Sequence, residues 1–417
     1  MNNYSKKSPK GDLGGFIHTP YEQPDPYGSL AMPVYHTAAY EFATAEEMAA
    51  AFQGKSSEHT YSRITNPTVQ YFEQRVQTTT GALSVTALSS GMAAITNTIL
   101  TVAKTGSNIV TSPHLFGNTY SFFANTLADF GVETRFCDLT NLAEVNENIN
   151  DNTCCVFLEI ITNPQLEVAD LKAISEIAHH KNVPLIADTT IIPFHVFKAA
   201  EWGIDIEVVS TTKYISGGAT SLGGLIIDYG KFDWNKSKKL SALAKIVENT
   251  AFTTKLRKEI HRNMGAYMTP HVAYMQTLGL ETLALRYEKA CDTCFILAHR
   301  LNEVKGIQSI NYSGLSSNPF YEISKKQFGE KAGAVLTFDL VSREVCFKFL
   351  NNLKLIKRAT NLFDNKTLAI HPASTIFGTF TEEVRIKMNI SENTIRLSVG
   401  LEDIDDLLQD IEQAISK

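Results

Sequence analysis

The sequence runs to 417 residues, 44% of them hydrophobic and 20% charged, which is enough apolar content to bury a large core over about two domains. Its 38 Lys and Arg against 44 Asp and Glu leave a net charge of -6 with no long run of either sign, so neither nucleic acid nor an anionic membrane surface is expected as a partner. No stretch supplies the roughly 18 apolar residues of a membrane span, no leader is read at the N-terminus, and six cysteines are too sparse for a disulfide scaffold; a cytoplasmic location is expected.

Residues 1–60 are rich in Pro, Gly and Tyr and read as irregular. Apolar, strand-like runs follow at Leu83–Leu88, Asn108–Thr111, Val132–Phe136, Cys154–Ile160, Val183–Ala187, Glu207–Ser210 and Leu225–Ile227. Helical patterns separate several of them, at Met92–Val102, Thr119–Phe130 and Leu171–His180. Short β-rich runs alternating with helices predict an α/β domain whose mostly parallel sheet is covered on both faces. Beyond about residue 260 the pattern changes to a long helix at Tyr274–Arg300, a strand at Ala334–Leu340 and the amphipathic IDDLLQDIEQAI, in which Ile404, Leu407, Leu408, Ile411 and Ile415 share a face. This second part reads as a smaller α+β domain. The divisions expected are 1–62, 63–265 and 266–417. Cys291 and Cys294 form a CxxC, but inside a helical pattern and with no second Cys or His pair, so no metal site is expected.

Ligands of open parallel sheets sit at the carboxyl ends of strands, which singles out polar residues directly after apolar runs. Those are Ser89 to Met92, Asn163, Asp188, and Ser210 to Lys213. SSGMAAI reads as strand, turn and helix start, so the amides of Gly91 and Met92 form a cup for an anion. Ser210 and Thr212, two apart in an extended segment, place both hydroxyls on one side to complete a phosphate site, with Lys213 pointing to the other. A lysine beside a phosphate site, with Asp188 at a neighbouring strand end, fits pyridoxal phosphate: its aldehyde needs an amine and its ring nitrogen a carboxylate. The plainer alternative makes Lys213 a surface lysine and Asp188 a turn cap. A serine nucleophile at Ser221 fits poorly, because a glycine-rich loop precedes it and a strand follows.

The segments TYSRITNPT, SSGMAA, STTKYISGG, HPAST and IRLSVGLEDIDDLL, in that order, resemble the cystathionine γ-synthase-like (Cys/Met metabolism) family of fold-type I pyridoxal-phosphate enzymes, over nearly the whole chain. The resemblance implies that Lys213 is the Schiff-base lysine and that Asp188 partners the pyridinium nitrogen. It also implies that Ser90, Gly91, Met92, Ser210 and Thr212 hold the phosphate, and that Tyr61 and Arg63 of an N-terminal arm reach the cofactor of a neighbouring subunit in a homotetramer built from active-site-sharing dimers. Tyr61 is in addition a candidate proton donor. Asn163, Ser374 and Arg396 match residues that hold the amino-acid substrate, Arg396 on its α-carboxylate. An arginine suits that role because its planar fork binds carboxylate bidentately.

Within the family, NPFYEISKKQFGEKAGAVLTFDL and the HPASTIF context resemble O-acetylhomoserine sulfhydrylases, which implies replacement of the acetyl group of O-acetylhomoserine by sulfide or a thiol; the alternative is a methionine or cystathionine γ-lyase. Two departures bear on the choice. Phe116 stands where a tyrosine usually stacks on the cofactor and protonates the leaving group, and Asn118 stands where methionine-cleaving relatives have cysteine. Acetate is a weak base that leaves without a proton, whereas a thiolate gains from one, so Phe116 favours an O-acyl substrate. A non-enzymatic binding module on the same fold would lack Lys213 or Arg396.

Overall fold

The computed structural model describes residues 12–21 and 25–416. Strands β1 (Ser84–Leu88), β2 (Asn108–Thr111), β3 (Glu133–Phe136), β4 (Thr153–Glu159), β5 (Leu185–Asp188), β6 (Ile206–Val209) and β7 (Gly224–Asp228) form a seven-stranded sheet in the order β1-β7-β6-β5-β4-β2-β3. Only β7 runs antiparallel to its neighbours; the pairs among β2, β3, β4, β5 and β6 are parallel. Each strand falls within about two residues of an apolar run read from the sequence. The two-residue period of a strand sends alternate side chains to opposite faces. On β4, Cys155 and Phe157 enter one buried cluster while Val156 and Leu158 enter the other. Helix Gly91–Val102 covers the first of these faces with Ile95, Ile99 and Val102, whose spacing makes one helical stripe. Burying each such side chain contributes about 1.5–3 kcal/mol.

The second sheet contains β8 (Ser309–Asn311), β9 (Val335–Asp339), β10 (Lys357–Arg358), β11 (Leu368–Ile370) and β12 (Thr394–Ser398), in the order β10-β11-β12-β9-β8. It shares a continuous apolar cluster with the first sheet, running from Phe16 to Ala414. The terminal helix Ile404–Ile415 buries Leu407, Leu408 and Ile411 as its pattern predicts.

Three readings need correction. The first 60 residues are not wholly irregular: Ala45–Phe52 is helical, with Thr44 accepting a hydrogen bond from the Glu47 amide at 3.1 Å while the Glu47 carboxylate accepts from the Ala43 amide at 3.2 Å. The long helix is two, Pro270–Glu281 and Leu283–Leu301. Arg286 stabilises the break, donating to the Gly279 carbonyl at 2.6 Å and to the Thr282 hydroxyl at 3.1 Å. The helix read at Thr119–Phe130 starts at Gly117 and carries a π-helical turn at Phe122–Thr126.

Candidate active site

A cavity of about 690 Å³ opens where the parallel strands end. Its lining includes Ser90 after β1, Glu159 at the end of β4, Asp188 at the end of β5 and Ser210 after β6, as the strand-end rule predicts. The lining also brings together Gly91, Met92, Phe116, Asn163, Thr212, Lys213 and Arg396 from the sequence-predicted set.

One end of the cavity is built for an anion. Ser90 caps helix Gly91–Val102, its hydroxyl accepting from the Ala93 amide at 3.0 Å, which leaves the amides of Gly91 and Met92 at the positive end of the helix. A Cβ at Gly91 would come within 2.7 Å of the Ser210 Cβ, and one at Gly224 within 2.1 Å of the Ser90 carbonyl oxygen. Only glycine lets these segments close into a cup. The hydroxyls are arranged differently from the expectation. Ser210 to Lys213 is not extended: the Lys213 amide donates to the Ser210 carbonyl at 3.2 Å, closing a turn, so Ser210, Thr212 and Lys213 all face the same cavity. The Thr212 hydroxyl accepts from the Gly223 amide at 3.1 Å and is partly engaged in holding that turn.

Lys213 Nζ donates to Asn361 Oδ1 at 2.8 Å. Burial and the positive charge of Arg396 push its pKa down to about 8, against the opposing pull of Asp188. The carboxyl of Asp188 accepts from the Thr190 amide at 2.9 Å. Burial raises its pKa, and the Thr190 hydrogen bonds and the Lys213 charge oppose that rise; a cationic ring nitrogen beside it would oppose it further.

Glu159 lies across the register pair from Asp188 and lines the same cavity. Its Oε1 accepts from the Phe116 amide at 2.6 Å, yet burial and the Asp188 charge push it well above the ordinary carboxylate range. The two neighbouring carboxyls differ in their surroundings: the Asp188 charge adds to the rise at Glu159, whereas the Lys213 charge opposes the rise at Asp188.

Arg396, in the middle of β12, is 2% exposed. Its Nη1 donates to Asn163 Oδ1 at 3.1 Å and its Nη2 to the carbonyls of Thr360 and Asn361 at 3.4 and 3.5 Å, while its Nε has no partner. No carboxylate pairs with it among the described residues, and burial pushes its pKa down to about 9. A buried cation without an anion is costly unless a ligand brings one. The fit of these groups to pyridoxal phosphate and an amino acid is good: an anion cup, an amine, a carboxylate and an unsatisfied guanidinium converge on one space.

Three predicted residues lie outside it. Ser374 is not in the lining; His371 Nε2 donates to the Glu392 carbonyl at 2.7 Å, so its Nδ1 accepts from the Ser374 hydroxyl at 2.8 Å. Tyr61 is 41% exposed, and Arg63 donates to the Arg262 carbonyl at 2.6 Å with its guanidinium 5.4 Å from the Tyr61 ring centre. Asn118 is also exposed and away from the lining. Sequence reading missed Glu159, Thr190 and Asn361. Glu159 had a signal, since like Asp188 it ends an apolar strand; Asn361 had none.

The chain is similar to known proteins over nearly its whole length. The family model for Cys/Met metabolism PLP-dependent enzymes matches residues 15–416. A crystal structure described as an O-acetylhomoserine (thiol)-lyase from Campylobacter jejuni, containing a pyridoxyl-lysine phosphate, superposes with a TM-score of 0.93 at 32% identity over 98% of this chain and 100% of that one. The O-acetylhomoserine sulfhydrylase of the methionine biosynthetic pathway of Wolinella succinogenes is 45% identical, with a TM-score of 0.76, over 85% of this chain and 98% of that one. An L-methionine gamma-lyase from Fusobacterium nucleatum is 35% identical over 94% of each chain. Among the described residues no helix is long and apolar enough to cross a membrane.

Proposed function

This chain belongs to the Cys/Met metabolism PLP-dependent enzyme family, and from that premise we propose that it catalyses γ-replacement, converting O-acetylhomoserine and sulfide (or a thiol) to homocysteine (or a thioether) and acetate. The observation that carries the reading is the meeting of Lys213, Asp188 and a carboxylate-free Arg396 on one cavity. The choice of γ-replacement draws on the sulfhydrylase resemblance and on Phe116.

Pyridoxal phosphate, when bound, supplies an aldehyde for the substrate amine and a ring that takes up the electrons released as protons leave carbon. Ser90, Gly91, Met92, Ser210 and Thr212 are the residues that would hold its phosphate, Asp188 its ring nitrogen and Phe116 a ring face. Arg396, steadied by Asn163, takes the substrate α-carboxylate. Lys213 Nζ, whose lowered pKa leaves a useful fraction neutral near pH 7.5, removes the α-proton and returns it. Loss of a Cβ proton expels acetate from Cγ, which needs no proton of its own; sulfide then bonds to Cγ in its place, and protons return to Cβ and Cα. Ser374 acts on the substrate side only through His371 and the turn before Ile376, which does line the cavity.

We read the assembly as a homotetramer of active-site-sharing dimers. Among the described residues the cavity lining has no basic residue except Lys213 and Arg396, both already used, so a phosphate there gains from a cation brought by a neighbour. Tyr61 and Arg63, outside their own cavity, suit that task. Tyr27 and Leu30 of the arm, 95% and 99% exposed, fit a surface that another subunit covers. We keep the divisions 1–62, 63–265 and 266–417; what supports them is that the strands of the first sheet fall within the second division and those of the other sheet within the third. A cytoplasmic location is supported by the unpaired state of every cysteine.

Mixing the purified enzyme, pyridoxal phosphate, O-acetylhomoserine and sulfide is expected to yield mostly homocysteine. Mostly 2-oxobutyrate, especially if methionine also produces it, would instead establish a γ-lyase. The leaving-group argument has its own check. Phe116→Tyr restores a proton to the ring-facing position and is expected to raise thioether cleavage relative to acetate elimination by about 100-fold, the lower end of the general-acid range; an unchanged ratio would show that this position does not choose the leaving group.

A further inference from the structure

Asn361 is on no strand and in no motif, yet it is the residue that the Lys213 amine touches, with Nζ donating to Oδ1 at 2.8 Å. Its own carbonyl accepts from Arg396 Nη2 at 3.5 Å, so one residue contacts both the amine and the carboxylate clamp. The segment carrying it is held in an unusual way. Phe363 adopts φ 55°, a left-handed conformation that side chains disfavour, and its amide donates to the Ser398 hydroxyl at 2.7 Å. Its ring stacks on Tyr214, the residue after Lys213, with centroids 4.0 Å apart and planes at 15°. A strained residue that ties the lysine segment to the Asn361 segment marks a geometry the fold is built to keep.

We propose that Asn361 is a positioning residue for the catalytic amine: its amide oxygen takes one N–H of Lys213 and so aims the lone pair into the cavity, without adding a charge beside it. The chemistry of the acceptor is the point. A carboxylate at the same place would pair with the ammonium form and hold the lysine protonated, whereas a neutral amide orients the amine and leaves it free to lose its proton. The charged and titratable groups that line the cavity around Lys213 are Asp188 from β5, Glu159 from β4 and Arg396 from β12. None of them is bonded to Nζ. The inference rests on Lys213 as the amine of the site and is independent of which homoserine ester or sulfur donor is used.

The test follows the rate at which the full-length protein, stripped of cofactor, takes up added pyridoxal phosphate onto Lys213 as pH is varied, read by the absorbance change. Uptake by the parent protein is expected to rise through a midpoint near 8, where the amine becomes neutral. Asn361→Asp keeps the side-chain shape and is expected to move that midpoint up by about one unit or more, the usual effect of an opposite charge in contact. Asn361→Ala is expected to slow uptake by about tenfold at every pH, since the amine is no longer aimed. An Asn361→Asp profile coincident with the parent's, or parent-like uptake by Asn361→Ala, overturns the proposal. A wrong assignment of substrate would change neither profile, so the two ideas fail separately.

Discussion

Replacing Lys213 with alanine is expected to abolish turnover, with kcat lower by at least about 10³-fold, because in the proposed mechanism one side chain serves as both the cofactor's amine partner and the base that moves the α-proton; general acid-base help alone is worth about 10²–10⁴. The geometry makes substitution from nearby implausible. Among the described residues the only other basic one lining the cavity is Arg396, whose guanidinium stays protonated at neutral pH even with its pKa pushed down to about 9. The fold should survive, since Lys213 contributes a partly desolvated charge bonded to one amide oxygen, and its removal takes away a cost as well as a bond. Two readouts separate chemistry from unfolding. Borohydride should trap cofactor on the parent chain and not on Lys213→Ala, while the thermal midpoints of the cofactor-free proteins stay within a few degrees. A variant that still traps cofactor at a lysine and turns over would place the amine of the site elsewhere.

The parts of this site that could be read from the amino-acid order share one property: each is announced by its immediate neighbours. Asp188 and Lys213 follow apolar runs that end abruptly in polar residues, and the cup at Gly91 follows a strand and opens a helix. Glu159 carries the same signal but falls inside the apolar run Cys154–Ile160; in the sheet it is the last residue of β4 and half-buried. Asn361 lies 148 positions from Lys213 in the chain and its role exists only after β12 and the lysine turn come together, so no local pattern can reveal it. The failed alternation at Ser210 to Lys213 has a similar origin. Period-two reasoning holds while a strand lasts, and β6 stops at Val209. Tyr61 and Arg63 are a third case: they lie outside their own cavity, and under the proposed assembly the missing context is another subunit rather than another segment.

Arg396→Met is the second large effect expected, and its signs differ between stability and function. In the cofactor-free protein the guanidinium is buried with Nε unpaired and no carboxylate partner, so exchange for an apolar chain of similar length removes an uncompensated charge. Against this stand the lost bond to Asn163, worth about 1.5 kcal/mol, and the two long, weaker ones to the carbonyls of Thr360 and Asn361. The balance predicts a thermal midpoint unchanged or raised by a few degrees. Function moves the other way. A substrate carboxylate deprived of its buried cation loses about 2–5 kcal/mol, which at 1.4 kcal/mol per decade is roughly a 30- to 4,000-fold fall in kcat/KM, most of it in KM. The electrostatics add a further signature. Arg396 is one of the causes that lower the Lys213 pKa, so without it the pH midpoint for cofactor uptake should rise from about 8 toward the ordinary lysine value, leaving less neutral amine at pH 7. Arg396→Lys keeps the charge but not the fork, and should preserve that midpoint while still weakening substrate binding. If Arg396→Met bound substrate with an unchanged KM, the carboxylate must be held by another group. If KM rose but the lysine midpoint stayed fixed, the two cations would not sense each other across the cavity, and the lowered basicity of Lys213 would have to come from burial alone.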